Sequence, residues 1–299
     1  MKKLELKAYA KINIALDICG VKPDGFHEIS TVMQHIDLHD IVCVRWMPGG
    51  GGIAVETHSN RRYLPEDRRN IVYKAAELVA GRYDILEKYG PGKVRIDIKK
   101  QIPVSAGLGG GSADGAATLR ALSSIWELGL DIKKLCALGA ELGSDVPFCV
   151  MGQAGTRCCL AEGVGTDLTP LRGLNSWIVL SKPPISVSTA AAYQGYDSIA
   201  DGNFERPDIG RLIAAMEEDD LASAAANMVN VLENYTLKAY PGVAKTKQEM
   251  LERTSPLRAV MSGSGPTMIG FYRDKASAET AFSKMALVNR ETFLAKTLI

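Results

Sequence analysis

No apolar run in the 299 residues approaches the roughly 20 that span a bilayer. The start, MKKLELKAYAKINIALDICG, is basic but broken by Glu5, Lys7, Lys11 and Asp17 before an export-type apolar core can form. The expectation is a cytoplasmic chain with no membrane partner. An excess of either charge is also missing: 35 Lys and Arg stand against 34 Asp and Glu, a net charge of +1. No overall basic field therefore calls for nucleic acid, although a local patch stays open. The six cysteines include no C-x-x-C pair and lie mostly in apolar settings, which suits reduced thiols packed as small hydrophobes. Histidine is scarce, at four. His35 and His39 have the i,i+4 spacing of a helical metal pair, but TVMQHIDLHDIVCVRW alternates and is β-branched, so a strand is expected there and a metal site is not. The glycine-rich loop lacks G-K-[ST], which excludes a Walker A loop. Ser112 stands where the last glycine of G-x-G-x-x-G belongs, which weakens a dinucleotide reading.

Glycine itself is concentrated in one place. Pro103 to Ala117 reads PVSAGLGGGSADGAA, and Gly107, Gly109, Gly110, Gly111 and Gly115 leave its amides unshielded. Successive N–H groups at a helix start form a positively polarised concavity, so the stretch reads as a phosphate cradle. The surrounding order fits. A strand over 93–99 leads into the glycines, and SADGAATLRALSSIWEL follows as a helix burying Leu119, Leu122 and Trp126. Ser112 adds a hydroxyl for phosphate or Mg2+.

The length allows two lobes with a cleft. Residues 3–19 alternate as a strand, with Leu4, Leu6, Ala8, Ala10, Ile12, Ile14 and Leu16 on one side. Lys11 and Asn13 share the other side, where they read as ordinary solvated strand residues. Pro23, Asp24 and Gly25 make a turn that presents Phe26 and His27, suited either to gripping a flat ring or to an incidental hairpin. Strands follow over 29–46 and 53–57, joined by a glycine turn at 49–52. Asn70 caps a helix, and Asp131 caps a second that Gly143 ends. In SDVPF, Asp145 reads as a turn or capping carboxylate, the alternative being a carboxylate held at a cleft edge. GTRCCLAEGVGTDLTPL reads as a hairpin and SWIVLSKP as a buried strand. VSTAAAYQGYD starts a helix at Ser188 or Thr189, and 207–253 is mostly helical. LRAVM and TMIGFY are strands around a second glycine site, Met261 to Thr267, for which a tight turn is the plain account. ASAETAFSKMAL closes the series as an amphipathic helix.

AYAKINIAL, IPVSAGLGGGSADGAA and MSGSGPTMIG resemble motifs one, two and three of the GHMP kinases, small-molecule kinases unrelated to P-loop enzymes. KPDGFHEISTVMQHIDLHD, RRNIVYKAAEL, LGSDVPF and VSTAAAY carry the resemblance over nearly the whole length, toward the branch whose acceptor is cytidine diphosphate methylerythritol. The resemblance implies a two-lobed α+β fold. An N-terminal ATP-binding lobe, like the ribosomal protein S5 domain 2-like fold, would cover 1–155, and a ferredoxin-like lobe 156–299. The implied reaction moves the γ-phosphoryl of ATP, with Mg2+, onto the 2-hydroxyl of that small molecule, on the non-mevalonate route to isoprenoid precursors. The implied assembly is a monomer or homodimer.

Carried onto matching positions, Asp145 would be the base and Lys11 its cationic neighbour. Asn13, Phe26, His27, Asp145, Thr189 and Tyr193 would surround the substrate, with cytosine stacked between Phe26 and Tyr193 and His27 on its edge. Pro103, Gly107, Leu108, Gly109, Gly110, Gly111, Ser112 and Ala113 would form the phosphate loop, with Ser112 touching Mg2+ and Asn70 and Lys100 near the adenine. Three departures accompany the match. Phe26 replaces the tyrosine of DGYHE, Gly115 replaces a common alanine, and NVLE at 230–233 replaces NDLE and so removes a carboxylate. The rivals are a homoserine or mevalonate type of GHMP kinase, which SDVPF and DGFHE oppose, and a nucleotide-binding relative without catalysis, which Lys11 and Asp145 oppose.

Overall fold

The structure, a computed structural model, describes residues 2–199 and 202–299. Two long strands come first, β1 (Lys2–Val21) and β2 (His27–Pro48), which pair with each other. The turn between them is the one expected: Gly25 N–H donates to the Lys22 carbonyl at 2.9 Å and Lys22 N–H to the Phe26 carbonyl at 2.7 Å. Alternation fails in the middle of β1, where every residue from Ala10 to Leu16 is buried. Lys11 and Asn13 are 5% and 3% exposed, so they are interior residues and not solvated ones. A strand covered on both faces hides its polar positions behind a pattern that looks half-wet.

The chain divides into two compact units. The first comprises Met1–Ala10, Leu38–Ile102 and Gly109–Thr156. It adds β3 (Ile53–Ser59), α1 (Ile71–Arg82), α2 (Ile85–Tyr89), β4 (Gly92–Lys99), α3 (Gly110–Ile125), α4 (Ile132–Leu142) and α5 (Val146–Gln153). β3 runs parallel to β4, and β4 pairs antiparallel with the second half of β2, Ile41 opposite Lys99. A parallel pair needs a crossover, which α1 and α2 supply. Both expected caps are present: Asn70 accepts from Val72 N–H at 3.2 Å and Asp131 from Lys134 N–H at 2.8 Å. The helix α5 was not legible, because VPFCVMGQ is buried nearly all round and shows no polar face. Pro147 fits in its first turn, where a missing N–H is harmless. Val72, Val94, Leu119, Leu122 and Trp126 make the core of this unit, and Trp46 meets Trp126 edge-on with centroids 5.5 Å apart.

The second unit comprises Lys11–Asp37, Pro103–Leu108 and Arg157–Ile299. It adds β5 (Cys158–Gly163), β6 (Asp167–Pro170), β7 (Trp177–Lys182), α6 (Thr189–Asp197), α7 (Ile209–Glu217), α8 (Leu221–Ala226), α9 (Glu233–Ala239), α10 (Pro241–Thr254), β8 (Arg258–Met261), β9 (Met268–Tyr272), α11 (Lys275–Met285) and β10 (Glu291–Lys296). β5 and β6 form the expected hairpin, and β5 pairs with the first half of β2. An antiparallel sheet in the order β10-β7-β9-β8 carries α10 and α11 over an apolar cluster that includes Val179, Val243, Met250, Met268 and Met285. The strand β10 went unread. The α+β class and the helical character of 207–253 hold. Among the described residues no helix is long and apolar enough to cross a membrane.

Candidate active site

Within the second unit, the three motifs converge on Lys11 and Asn13. Lys11 N–H donates to the Leu108 carbonyl at 3.0 Å, so β1 is tied to the glycine stretch by its backbone. Its buried ammonium donates to Asn13 Oδ1 at 2.8 Å. Asn13 Nδ2 donates to Thr31 Oγ1 at 2.9 Å, and Thr31 donates to the Ala15 carbonyl at 2.6 Å. That chain fixes which way the Asn13 amide points: its oxygen must face the cation. The second glycine site, between β8 and β9, is the tight turn expected. Ser262 N–H bonds the Thr267 carbonyl at 2.9 Å and Gly265 N–H the Ser262 carbonyl at 2.9 Å. It does more than turn, because Ser262 Oγ donates to the Gly107 carbonyl at 2.9 Å and accepts from Asn13 N–H at 3.4 Å. Gly107 has φ +75°, and a Cβ there would lie 2.2 Å from the Ser262 carbonyl oxygen. Glycine is required on both counts.

Phe26, His27, Thr189 and Tyr193, expected around the substrate, lie in the same unit. Phe26 is 64% exposed at the end of the turn. His27, at the start of β2, has its ring centroid 4.8 Å from that of Tyr193 on α6 at a 44° tilt, and its Nε2 lies 2.7 Å from Asp197 Oδ1. The helix α6 starts as expected, with Ser188 accepting from Ala191 N–H at 3.4 Å. Thr189 Oγ1 is 3.0 Å from Ser264 Oγ, which joins α6 to the glycine turn.

In the first unit, Gly109 (φ +65°) opens α3 and no side chain caps that helix. Ala113 N–H is taken by the Gly109 carbonyl at 2.9 Å, so the amides of Gly110, Gly111 and Ser112 are the first-turn donors. That arrangement suits a polyphosphate. Lys100 is not an exposed cation: its side chain is 4% exposed, its ammonium donates to Asp114 Oδ2 at 2.7 Å, and it also pairs with Asp40. Asp40 Oδ1 further accepts from Gln101 N–H at 2.5 Å and Ile102 N–H at 2.9 Å. Burial alone would lower the Lys100 pKa, but the carboxylates of Asp114 and Asp40 outweigh it and hold the ammonium above its usual range. Burial pushes the Asp114 carboxyl up to about 7, with Lys100 opposing and Asp40 adding to the rise. Asp114 Oδ1 is buried and has no hydrogen-bond partner among the described residues.

Asn70 is engaged at both polar ends, by Val72 N–H and by its own donation to the Pro65 carbonyl at 2.9 Å. Asp145 precedes α5 in a turn, half-buried, and its carboxylate does not cap that helix. The capping reading is therefore set aside.

Sequence reasoning did not reach Asp40, Asp114, Asp197, Asn230 or Glu233. Asn230 Nδ2 donates to the Met261 and Gly263 carbonyls at 2.8 and 2.7 Å. Glu233 accepts from Met261 N–H at 2.7 Å and pairs with Lys247. The NVLE segment thus holds the glycine turn from behind, and its Val231 is fully buried in the apolar cluster. The segment was noticed, but its partners lie about thirty positions away.

The GHMP kinases N terminal domain matches residues 70–153 and the GHMP kinases C terminal domain residues 208–290. A 4-diphosphocytidyl-2-C-methyl-D-erythritol kinase of Alkaliphilus metalliredigens is 40% identical over 299 residues, covering 99% of this chain and 97% of the relative. One of Geobacillus thermodenitrificans is 42% identical over 282 residues, covering 94% and 92%. A crystal structure of 4-(cytidine 5'-diphospho)-2C-methyl-D-erythritol kinase superposes with TM-score 0.80 at 28% identity, covering 98% of this chain and 99% of that one. A homoserine kinase structure from Cytophaga hutchinsonii gives TM-score 0.70 at 18% identity, covering 100% and 96%, which is a likeness of fold.

Proposed function

The chain belongs to the 4-diphosphocytidyl-2-C-methyl-D-erythritol kinases, an ATP-using branch of the GHMP kinases, and we propose that Lys11 and Asp145 carry its phosphoryl transfer. The reaction is the ATP-dependent phosphorylation of 4-diphosphocytidyl-2-C-methyl-D-erythritol in isoprenoid precursor synthesis. We assign the acceptor to the 2-hydroxyl, the setting to the cytoplasm and the partner to this one small molecule.

The observation that carries the residue assignments is the buried Lys11–Asn13 pair, against which Leu108 of motif two and Ser262 of motif three are both hydrogen-bonded. The Lys11 side chain thus lies where motifs one, two and three meet, the place at which a cation would meet an anionic group. In the proposed step Asp145 accepts the proton of the substrate hydroxyl as that oxygen attacks, and the Lys11 ammonium offsets charge on the reacting oxygens. The amides of Gly110, Gly111 and Ser112 bind the phosphates, and Gly107 and Leu108 give the loop its path. Magnesium, when bound with the nucleotide, offsets phosphate charge, and the Ser112 hydroxyl is the group we assign to it. Lys100, buried, and Asn70, half-buried, shape the adenine side as supports of the loop and of α1. Asn13 and Thr189 face the sugar, Phe26 and Tyr193 stack on the cytosine, and His27 reads its edge.

The test is substrate-dependent ADP release. The cytidyl substrate should be turned over and homoserine should not. Asp145→Asn should lower kcat by roughly 10²–10⁴-fold, the range for loss of a general base, while ATP still binds. Full activity in that variant would remove Asp145 from the mechanism.

A further inference from the structure

Asp197 lies outside every motif in the sequence, yet it is placed to decide what His27 can recognise. Tyr193 and Asp197 are four apart on α6 and therefore share a face of that helix. One turn of helix brings His27 both of its neighbours, the Tyr193 ring at 4.8 Å and a carboxylate oxygen 2.7 Å from Nε2. A carboxylate only accepts hydrogen bonds, so the Nε2 facing it carries the hydrogen. In a neutral imidazole that leaves the lone pair on Nδ1. The Tyr193 ring and the Asp197 carboxylate thus hold the plane of the ring, and for a neutral ring the carboxylate favours the Nε2–H tautomer.

We propose that Asp197 is a specificity-determining positioning residue: by accepting from Nε2–H of His27, it presents Nδ1 as an acceptor and thereby selects a cytosine over a uracil. This rests on the reading of His27 as the residue at the base edge. The exocyclic N4 amino group of cytosine donates, and it meets the Nδ1 lone pair favourably. Uracil has a carbonyl oxygen at the same position, and two acceptors then face each other. With the opposite tautomer, Nδ1–H would donate, and the preference would invert. A site built to bond one polar group discriminates strongly against an analogue that lacks it. Asp197 does not touch the base in this scheme and acts only through His27.

The experiment compares kcat/KM for the cytidyl substrate and its uridine analogue in the native enzyme, His27→Ala, Asp197→Ala and Asp197→Asn. Asp197→Ala should cut the cytidine preference about tenfold, through KM for the substrate, with kcat on saturating cytidyl substrate and KM for ATP held. Asp197→Asn keeps an accepting oxygen and should restore most of the preference. A nitrogen NMR spectrum of the histidines should show the Nε2–H tautomer for His27 in the native enzyme and a mixture in Asp197→Ala. If His27→Ala loses the preference while Asp197→Ala retains it, the role of Asp197 is overturned and the reading of His27 stands. If His27→Ala also retains it, the reading of His27 falls and takes this proposal with it. A native His27 in the Nδ1–H tautomer overturns the proposal whatever the kinetics.

Discussion

At the scale of single residues, Lys100 holds together the first unit's glycine helix. Its ammonium sits between two carboxylates that are themselves almost fully buried, Asp40 at 0% and Asp114 at 3% exposure. Removing one partner of a buried ion set leaves charge uncompensated, so Lys100→Met should destabilise the fold by about 3–5 kcal/mol, read from urea midpoints. Asp114 makes a second test. Its carboxyl is raised from 3.8 to about 7 by burial first, so the folded protein binds a proton that the unfolded chain has already lost. The associated stability is complete below the unfolded value and is lost as pH climbs toward 7. Asp114→Asn should therefore flatten the fall in stability across that window, and an unchanged slope would contradict the raised value. None of this was legible in order along the chain. Lys100 was noticed only by resemblance, as a residue near adenine. Asp40 lies inside an alternating run and looked like any strand residue, since the sixty positions between the partners carry no periodic signal.

Among elements, the turn between β8 and β9 shows how local reading falls short. Met261 to Thr267 was legible as a turn because two apolar runs flank glycines. Its contacts with Gly107, Asn13 and Thr189 were not, since they depend on where distant segments fold. The bracket behind it has a defined cost of removal. Asn230→Ala would strip hydrogen bonds from the Met261 and Gly263 carbonyls, about 1–3 kcal/mol for each buried group left unsatisfied. A Cβ at Gly263 would lie 3.1 Å from Asn13 Oδ1 and 3.8 Å from Lys11 Nζ, so this backbone abuts the proposed catalytic lysine. The expected phenotype of Asn230→Ala is a kcat lowered roughly tenfold by misplacement, together with a lower melting temperature. Steady-state kinetics on the folded fraction separates the two effects. Gly107→Ala should be harsher, because a left-handed φ and a 2.2 Å approach to the Ser262 carbonyl leave no room to relax. Val231 also becomes intelligible at this scale. In NVLE the two polar ends, Asn230 and Glu233, grip the turn, and the two residues between them, Val231 and Leu232, pack in the core.

For the whole molecule, the decisive fact is how often the chain passes between its two units. The changeovers fall at Ala10/Lys11, Asp37/Leu38, Ile102/Pro103, Leu108/Gly109 and Thr156/Arg157. A sequence suggests contiguous lobes because composition is read in order, and the division drawn after residue 155 lies beside only the last of these. The first two cannot be read, since β1 and β2 are each one unbroken strand with no Pro or Gly punctuation at the changeover, and the next two fall inside the phosphate-cradle stretch, where Pro103 and Gly109 read as loop and helix start. The consequence is testable. A fragment of residues 156–299 would lack Ile29 to Gln34, the partners of β5, and would expose an unpaired strand edge. It would also lack Leu16 and Ile18, which are buried with Val231, Met261 and Met268 in the second unit's apolar cluster. Residues 11–37 would have to be supplied from elsewhere for that core to close. The fragment alone should therefore give poorly dispersed amide spectra and a broad urea transition. Mixed during refolding with residues 1–155, it should recover a cooperative transition and kinase activity. A sharp, independent unfolding transition of 156–299 would show instead that the antiparallel sheet with α10 and α11 suffices as a folding unit, and that the contribution of β1 and β2 is to the site and not to stability.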